Sequence, residues 1–203
     1  MTHVYRTIAA SAALLAAVFG VAGCGGSGSG SMPGMSHTST SPSASAAATF
    51  NDADVMFASQ MIPHHQQAVE MADSALQKAT TAPVKNLATA IKAAQDPEIK
   101  LMSGWLTAWG KPVPMPGEHA GHTMTGMMSP QEMDDLSKAT GSMYDRMWVT
   151  MMIKHHQGAV TMAKTEQSTG KDASSMALAK KIQAAQTTEI ATMQRLLGRL
   201  PAA

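Results

Sequence analysis

The chain has 203 residues, enough for one domain or two small ones, and its 15 Lys+Arg nearly balance 14 Asp+Glu. That balance, with no interleaved basic and aromatic patch, excludes the electrostatic footprint of a nucleic-acid binder. One cysteine excludes an intramolecular disulfide, while 19 methionines in a chain with 4% aromatics supply much soft thioether sulfur.

A short n-region with His3 and Arg6 precedes an apolar run from Ile8 to Phe19 and the sequence Val21-Ala22-Gly23-Cys24-Gly25. This order predicts a lipoprotein signal peptide over residues 1–23, resembling a bacterial lipobox in which Cys24 becomes the lipidated first residue. The run is too short to be a good spanning helix. The mature protein is therefore expected on the outer face of the bacterial cytoplasmic membrane, tethered in the cell envelope by lipid at Cys24. Removing Arg6 with the leader leaves 14 Lys+Arg against 14 Asp+Glu.

Residues 24–49 are rich in Gly, Ser, Thr, Ala and Pro and read as a flexible linker. Within it, Met32, Met35 and His37 form a soft-ligand cluster. The same vocabulary returns between residues 115 and 128 as Met115, His119, His122, Met124, Met127 and Met128. These methionines have no evident core to fill, so they are auxiliary metal candidates.

Residues 50–200 predict an all-α four-helix bundle, with no period-two alternation to suggest a sheet. The first helix is expected from an Asn51 or Asp52 cap to about Thr80, with a kink or offset start at Pro63. The second starts near Pro83 and ends before Gly110. The third begins at Ser129-Pro130-Gln131-Glu132, a capping box, with an interruption near Gly141, and stops by Gly170. The fourth runs from about Asp172 to Leu197, closed by Gly198 and Pro201.

One stretch occurs twice. Met61-Ile62-Pro63-His64-His65-Gln66-Gln67-Ala68-Val69-Glu70-Met71-Ala72 recurs, 91 residues later, as Met152-Ile153-Lys154-His155-His156-Gln157-Gly158-Ala159-Val160-Thr161-Met162-Ala163, with nine of twelve positions identical. At the same offset Ile91-Lys92-Ala93-Ala94-Gln95-Asp96-Pro97-Glu98-Ile99 matches Ile182-Gln183-Ala184-Ala185-Gln186-Thr187-Thr188-Glu189-Ile190, and Asp54 matches Asp145. Each half, about 50–108 and 130–199, is thus a repeated helical hairpin, and two make a bundle with a pseudo-twofold relation.

At about 100° per helical residue, both histidines border the apolar stripe of Phe57, Met61, Ala68 and Ala75, and Asp54 lies on it. Glu98 falls amid Val84, Leu87, Ile91, Met102 and Trp105 on the second helix; Glu189 repeats this. An inward carboxylate is costly unless paired or ligated. A lone inward histidine would be read as a core residue satisfied by a neighbour. Two His-His pairs with inward acids point instead to metal at His64, His65, His155 and His156, with Asp54, Glu98, Asp145 and Glu189 as ligands or imidazole-orienting groups. Most helical methionines are core filler, but Met61, Met71, Met152 and Met162 lie within one or two turns of a histidine on its side. Imidazole with thioether suits Cu(I), mimicked by Ag(I); other transition metals favour carboxylate or thiolate.

The paired Met-Ile-x-His-His-Gln-x-Ala-Val-x-Met-Ala motif resembles the DUF305 family of exported bacterial proteins, over about residues 50–200. The resemblance implies a ferritin-like four-helix bundle. Some members are implicated in copper binding and tolerance, which carries to His64, His65, His155 and His156 with Met61, Met71, Met152 and Met162. The leading expectation is a lipid-anchored protein that sequesters Cu(I) or exchanges it with a donor or acceptor protein. The alternative is a ferritin-like redox enzyme with a dinuclear His/carboxylate site. The sequence lacks the Glu-x-x-His of ordinary di-iron enzymes, which argues against ordinary di-iron chemistry and leaves copper oxidation open.

Overall fold

Asn51 sets the start of the bundle. Its side-chain oxygen accepts from the amides of Ala53 and Asp54, and the Asp54 carboxylate accepts from the Asn51 amide at 2.6 Å, a reciprocal capping box. From this cap onward the structure, a computed structural model, describes residues 49–115 and 124–202. Cys24, Met32, Met35, His37, His119 and His122 lie outside the described residues, as do the leader and nearly all of the linker.

Five helices follow: α1 (Asp52–Lys78), α2 (Ala82–Ala108), α3 (Pro130–Lys138), α4 (Gly141–Thr169) and α5 (Ala173–Leu197). There is no strand among the described residues, and no helix of theirs is long and apolar enough to cross a membrane. Pro63 and Pro97 lie inside α1 and α2, which run on through them. The interruption expected near Gly141 is present. Ala139 and Thr140 are extended, and Gly141 sits at φ 60°, so the third expected stretch is a short α3 followed by α4. Ser129 and Glu132 cap α3 reciprocally.

The four long helices pair as two hairpins, α1 with α2 and α4 with α5, and α1 lies along α4. Two apolar clusters fill the interior. One joins Phe57, Met61 and Ile62 of α1 to Met102, Leu106, Ala163 and Ile182. The other joins Met71, Ala75 and Ile91 to Tyr144, Trp148, Met152 and Met193, covered by Leu136 of α3. Trp148, fully buried, donates its indole N–H to the Met71 carbonyl at 2.8 Å, which removes the cost of burying that donor. The histidine pairs of α1 and α4 fall in sequence between these clusters.

The inward aspartates have a structural explanation. Asp145 accepts from the Thr80 amide, the Thr80 hydroxyl and the Thr81 amide, each at 2.9 Å, stapling the turn between α1 and α2. Asp54 mirrors it, accepting from the amides of Lys171 (3.0 Å) and Asp172 (2.9 Å) in the turn between α4 and α5. Burial alone would raise the Asp54 carboxyl, but the Asn51 amide, a hydrogen bond with Glu166 and the amides of Asp172 and Lys171 hold it below its ordinary value. The expectation that these two acids orient imidazoles is therefore corrected: each clamps the partner hairpin's turn. Asp145→Ala strands backbone amides and is expected to cost about 2–4 kcal/mol in a urea melt, while metal stoichiometry stays as in the parent. A fall in stoichiometry with stability intact would restore the imidazole role.

Candidate metal centre

The polar residues that interrupt the core form a belt. Every member comes from the duplicated segments: His64 and His65 from α1, His155 and His156 from α4, Gln95 and Glu98 from α2, Gln186 and Glu189 from α5. All four imidazoles are fully buried, and the two glutamines nearly so. Across the hairpins, His65 Nε2 meets Glu98 Oε2 at 2.8 Å, and His156 Nε2 meets Glu189 Oε2 at 2.6 Å. A carboxylate only accepts, so Nε2 carries the proton in both, and each Nδ1 is left as a lone pair. At the bundle axis His64 and His155 lie against each other, their ring centroids 3.8 Å apart at 39°.

Apart from the backbone of Thr125 beside His64 and that of His64 beside His155, little among the described residues approaches the inner faces of this belt. Both ring nitrogens of His64 and of His155, and Nδ1 of His65 and of His156, are buried without a hydrogen-bond partner, as are the Oε1 atoms of Gln95 and Gln186. An orphaned buried polar group costs about 1–3 kcal/mol. Six ring nitrogens and two amide oxygens on that scale rival the whole net stability of a domain, about 5–15 kcal/mol. A layer this expensive, present in both halves of a duplication, is explained by a species it binds.

Charge in the belt is controlled by dehydration. Burial holds His64 down at about 3, helped by the neighbouring His65 and His156. Burial, then the nearby His64, His156 and His65, keeps His155 well below the ordinary histidine range. His65 is also depressed by burial, against the upward pull of Glu98. His64, His65 and His155 are thus neutral at physiological pH, the form that donates to a metal. Among the described residues no three His, Cys, Asp or Glu groups already converge on one point. The donor set fits a soft, low-coordinate ion held by a few imidazole and thioether atoms better than a hard ion needing a full cage of oxygen ligands.

Met61 and Met152 are fully buried one turn before the histidine pairs, and Met71 is buried two turns beyond the first. Met162 is half-buried. Of the loop methionines, Met115 is 65% exposed and Met124 and Met127 are half-buried. Met128 corrects the expectation that they have no core to fill. It is buried in the cluster around Trp148, where the strap of residues 124–128 crosses the bundle.

That strap is seated at Gln67 and Gly158, one of the three positions at which the two motif copies differ. Gln67 donates to the Met128 carbonyl at 2.8 Å and accepts from its amide at 2.7 Å. Its counterpart is Gly158, where an added Cβ would stand 2.0 Å from the Thr125 carbonyl oxygen. Gly126, at φ 88°, has no more room: its Cβ would lie 2.8 Å from the Gly158 Cα. Lys154, opposite Pro63 in the repeat, pairs with Glu132 of α3 at 2.7 Å. The Thr125 carbonyl in turn lies beside His64. Gly158→Ala is expected to lift the strap, costing about 1–3 kcal/mol and speeding hydrogen exchange at the Met128 amide. Parental exchange and stability would show that the strap is not seated through Gly158.

Gln95, Gln186, Gln67 and Gly158 were not among the sequence candidates, and neither was Glu166, buried near Asp54. For the first two a signal existed, since both stand on an apolar stripe and are identical between repeats. The others depend on contacts of the crossover and turns that no repeat displays.

Comparison with known proteins agrees with this architecture. No functionally curated protein matches the chain. A DUF305 fragment from Deinococcus radiodurans is 34% identical, covering 74% of this chain and 98% of its own, at TM-score 0.66. A DUF305 protein from Streptomyces coelicolor, a candidate secreted protein, is 33% identical over 72% of this chain and 93% of its own, at TM-score 0.67. CopM in its Cu(II)-bound form is 37% identical over 72% of this chain and 96% of its own, at TM-score 0.64. CopM has also been solved Cu(I)-bound, Ag-bound and apo. The profile of the domain of unknown function DUF305 matches residues 54–197, and the chain belongs to the DUF305 family.

Proposed function

We propose that this protein binds Cu(I) in the histidine belt and either sequesters it or hands it to a partner protein outside the cytoplasm. The observation that carries the reading is the set of buried, partnerless imidazole nitrogens on the two repeats. Glu98 and Glu189 fix the outer histidines, His64 and His155 present both nitrogens, and Met61 and Met152 supply thioether sulfur nearby. The likeness to CopM, a protein solved with Cu(I) and Ag, supports the same reading. Lipid attachment at Cys24 would keep the bundle at the membrane surface, with Met32, Met35, His37, Met115, His119 and His122 as auxiliary donors on the segments that precede and connect the hairpins.

Anaerobic Cu(I) and Ag(I) titration tests this, comparing the parent with His64, His65, His155 and His156 all changed to Ala. The expected result is binding in the parent, above a Zn(II) control, with the belt's share of the bound ions lost in the variant. Equal binding by both would end the proposal. The two His–Glu pairs also suit a dinuclear redox site; that reading requires oxygen consumption during Cu(I) or Fe(II) oxidation.

A further inference from the structure

A cleft of about 640 Å³ opens between the N-terminal half of α1 and the C-terminal half of α4, closed on one side by Met124 and Thr125. It exists because the duplication is broken there. Its wall residues Ala53, Phe57 and Gln60 correspond, at the 91-residue offset, to Tyr144, Trp148 and Met151. At the other end of the bundle Tyr144 and Trp148 are fully buried and fill the equivalent space. At the cleft, smaller side chains leave it open.

What lines the opening is soft and acidic. Met56, Met124 and Met162 reach it from three different elements, α1, the strap and α4. Met56 is 57% exposed, so it is not core filler. Glu166, whose repeat counterpart is Ala75, forms part of the wall while only 1% exposed. Neither of its carboxylate oxygens has a partner in full hydrogen-bond geometry. The Ser175 hydroxyl, which lowers its carboxyl, and the Asp54 carboxylate, which raises it, stand beside it. A buried acid facing another acid is unfavourable without a cation or a proton. The cleft also touches the belt: Phe57 and Thr125 form its wall, and the Thr125 carbonyl lies beside His64.

We propose that this cleft is a second soft-cation site, in which the thioethers of Met56, Met124 and Met162 hold Cu(I) or Ag(I) and Glu166 supplies the counter-charge. The inference rests on the copper reading and extends it: the cleft receives the ion from solvent, and the histidine belt lies behind it. Thioether sulfur has no proton to release, so capture here needs no deprotonated thiol.

The test is Ag(I) titration of the full chain labelled with ¹³C at the methionine methyl groups, followed by NMR, each methyl assigned by its single Met→Leu variant. The methyls of Met56, Met124 and Met162 are expected to shift together as Ag(I) is added. Glu166→Gln, which keeps shape and removes charge, is expected to weaken that response about tenfold. Two outcomes overturn the cleft site: imidazole signals that move while these three methyls do not, which leaves the belt reading standing, or three methyls that move independently of one another. A Glu166→Gln response equal to the parent's removes Glu166 from the site. If neither imidazoles nor methyls respond, both readings fall.

Discussion

Replacing His64 and His155 together by leucine is expected to stabilise the metal-free protein while it abolishes Cu(I) and Ag(I) binding in the histidine belt. The two rings are in contact at the bundle axis, fully buried, with all four nitrogens lacking partners. Exchanging orphaned polar atoms for apolar ones of similar volume removes a desolvation cost of about 1–3 kcal/mol per group. Lost packing between differently shaped side chains returns part of it, up to about 1.5 kcal/mol. A net gain of about 2–4 kcal/mol follows, read as a higher urea midpoint at unchanged slope. The same variant loses the central donors, so its titration with Ag(I) lacks the belt's component and keeps only that of the methionine cleft. Stability traded against a site is the usual signature of function. A structural role for the histidines predicts the reverse, a destabilised protein whose metal response is that of the parent.

Acidification is expected to weaken the metal-free protein, and the loss should steepen when Glu166 is neutralised. His64, held at about 3, stays neutral in the folded chain at pH 5, and burial holds His155 well below 6.5 as well. In the unfolded chain both titrate near 6.5, so below that value the unfolded state binds more protons. The contribution of His64 is complete above 6.5 and is lost as pH falls toward 3, by about 2 kcal/mol at pH 5, and His155 acts in the same direction. Glu166 acts oppositely. Burial first, then the adjacent Asp54 and Asp172, raises its carboxyl to about 7 from 4.5, against a lowering pull from Ser175. Its stabilising protonation is complete below 4.5 and is lost as pH rises through 7, returning about 2 kcal/mol between pH 7 and pH 5.

His64 and Glu166 nearly offset each other over that interval, the depressed His155 tips the balance to a net loss, and Glu166→Gln should deepen that loss by about 2 kcal/mol. The depressed His65 adds to the loss in the same direction. Urea melts of both proteins at pH 7 and pH 5 give the comparison. Parallel pH profiles would show that Glu166 does not hold its proton in the folded chain. The neutral belt carries a corollary for the metal. Because His64 and His155 need not shed protons, Ag(I) affinity at these two rings should change little between pH 7 and pH 5, unlike that of an exposed histidine peptide, whereas protonation of Glu166 should weaken the response at the cleft.

Much of this was already present in the order of residues. The period of the apolar positions, the Asn51 and Ser129 caps and the 91-residue offset together determine the helices, the two hairpins and their relation. They also place His64, His65, His155, His156, Glu98 and Glu189 on inward stripes, because angle around a helix follows from sequence spacing alone. Depth along the bundle and the identity of the facing chain do not. Asp54 shares an angular sector with the histidines but stands ten residues before His64, about 15 Å along the axis, level with the opposite turn whose amides it takes. Met128 reads as a loop residue until the strap is seen to enter the core. Gln67 and Gly158 read as drift between copies until the crossover is laid between them. The helices and the belt are local and periodic, so the sequence alone determined them. The staples, the strap and the cleft depend on contacts between segments far apart in the chain, and only tertiary packing decided those.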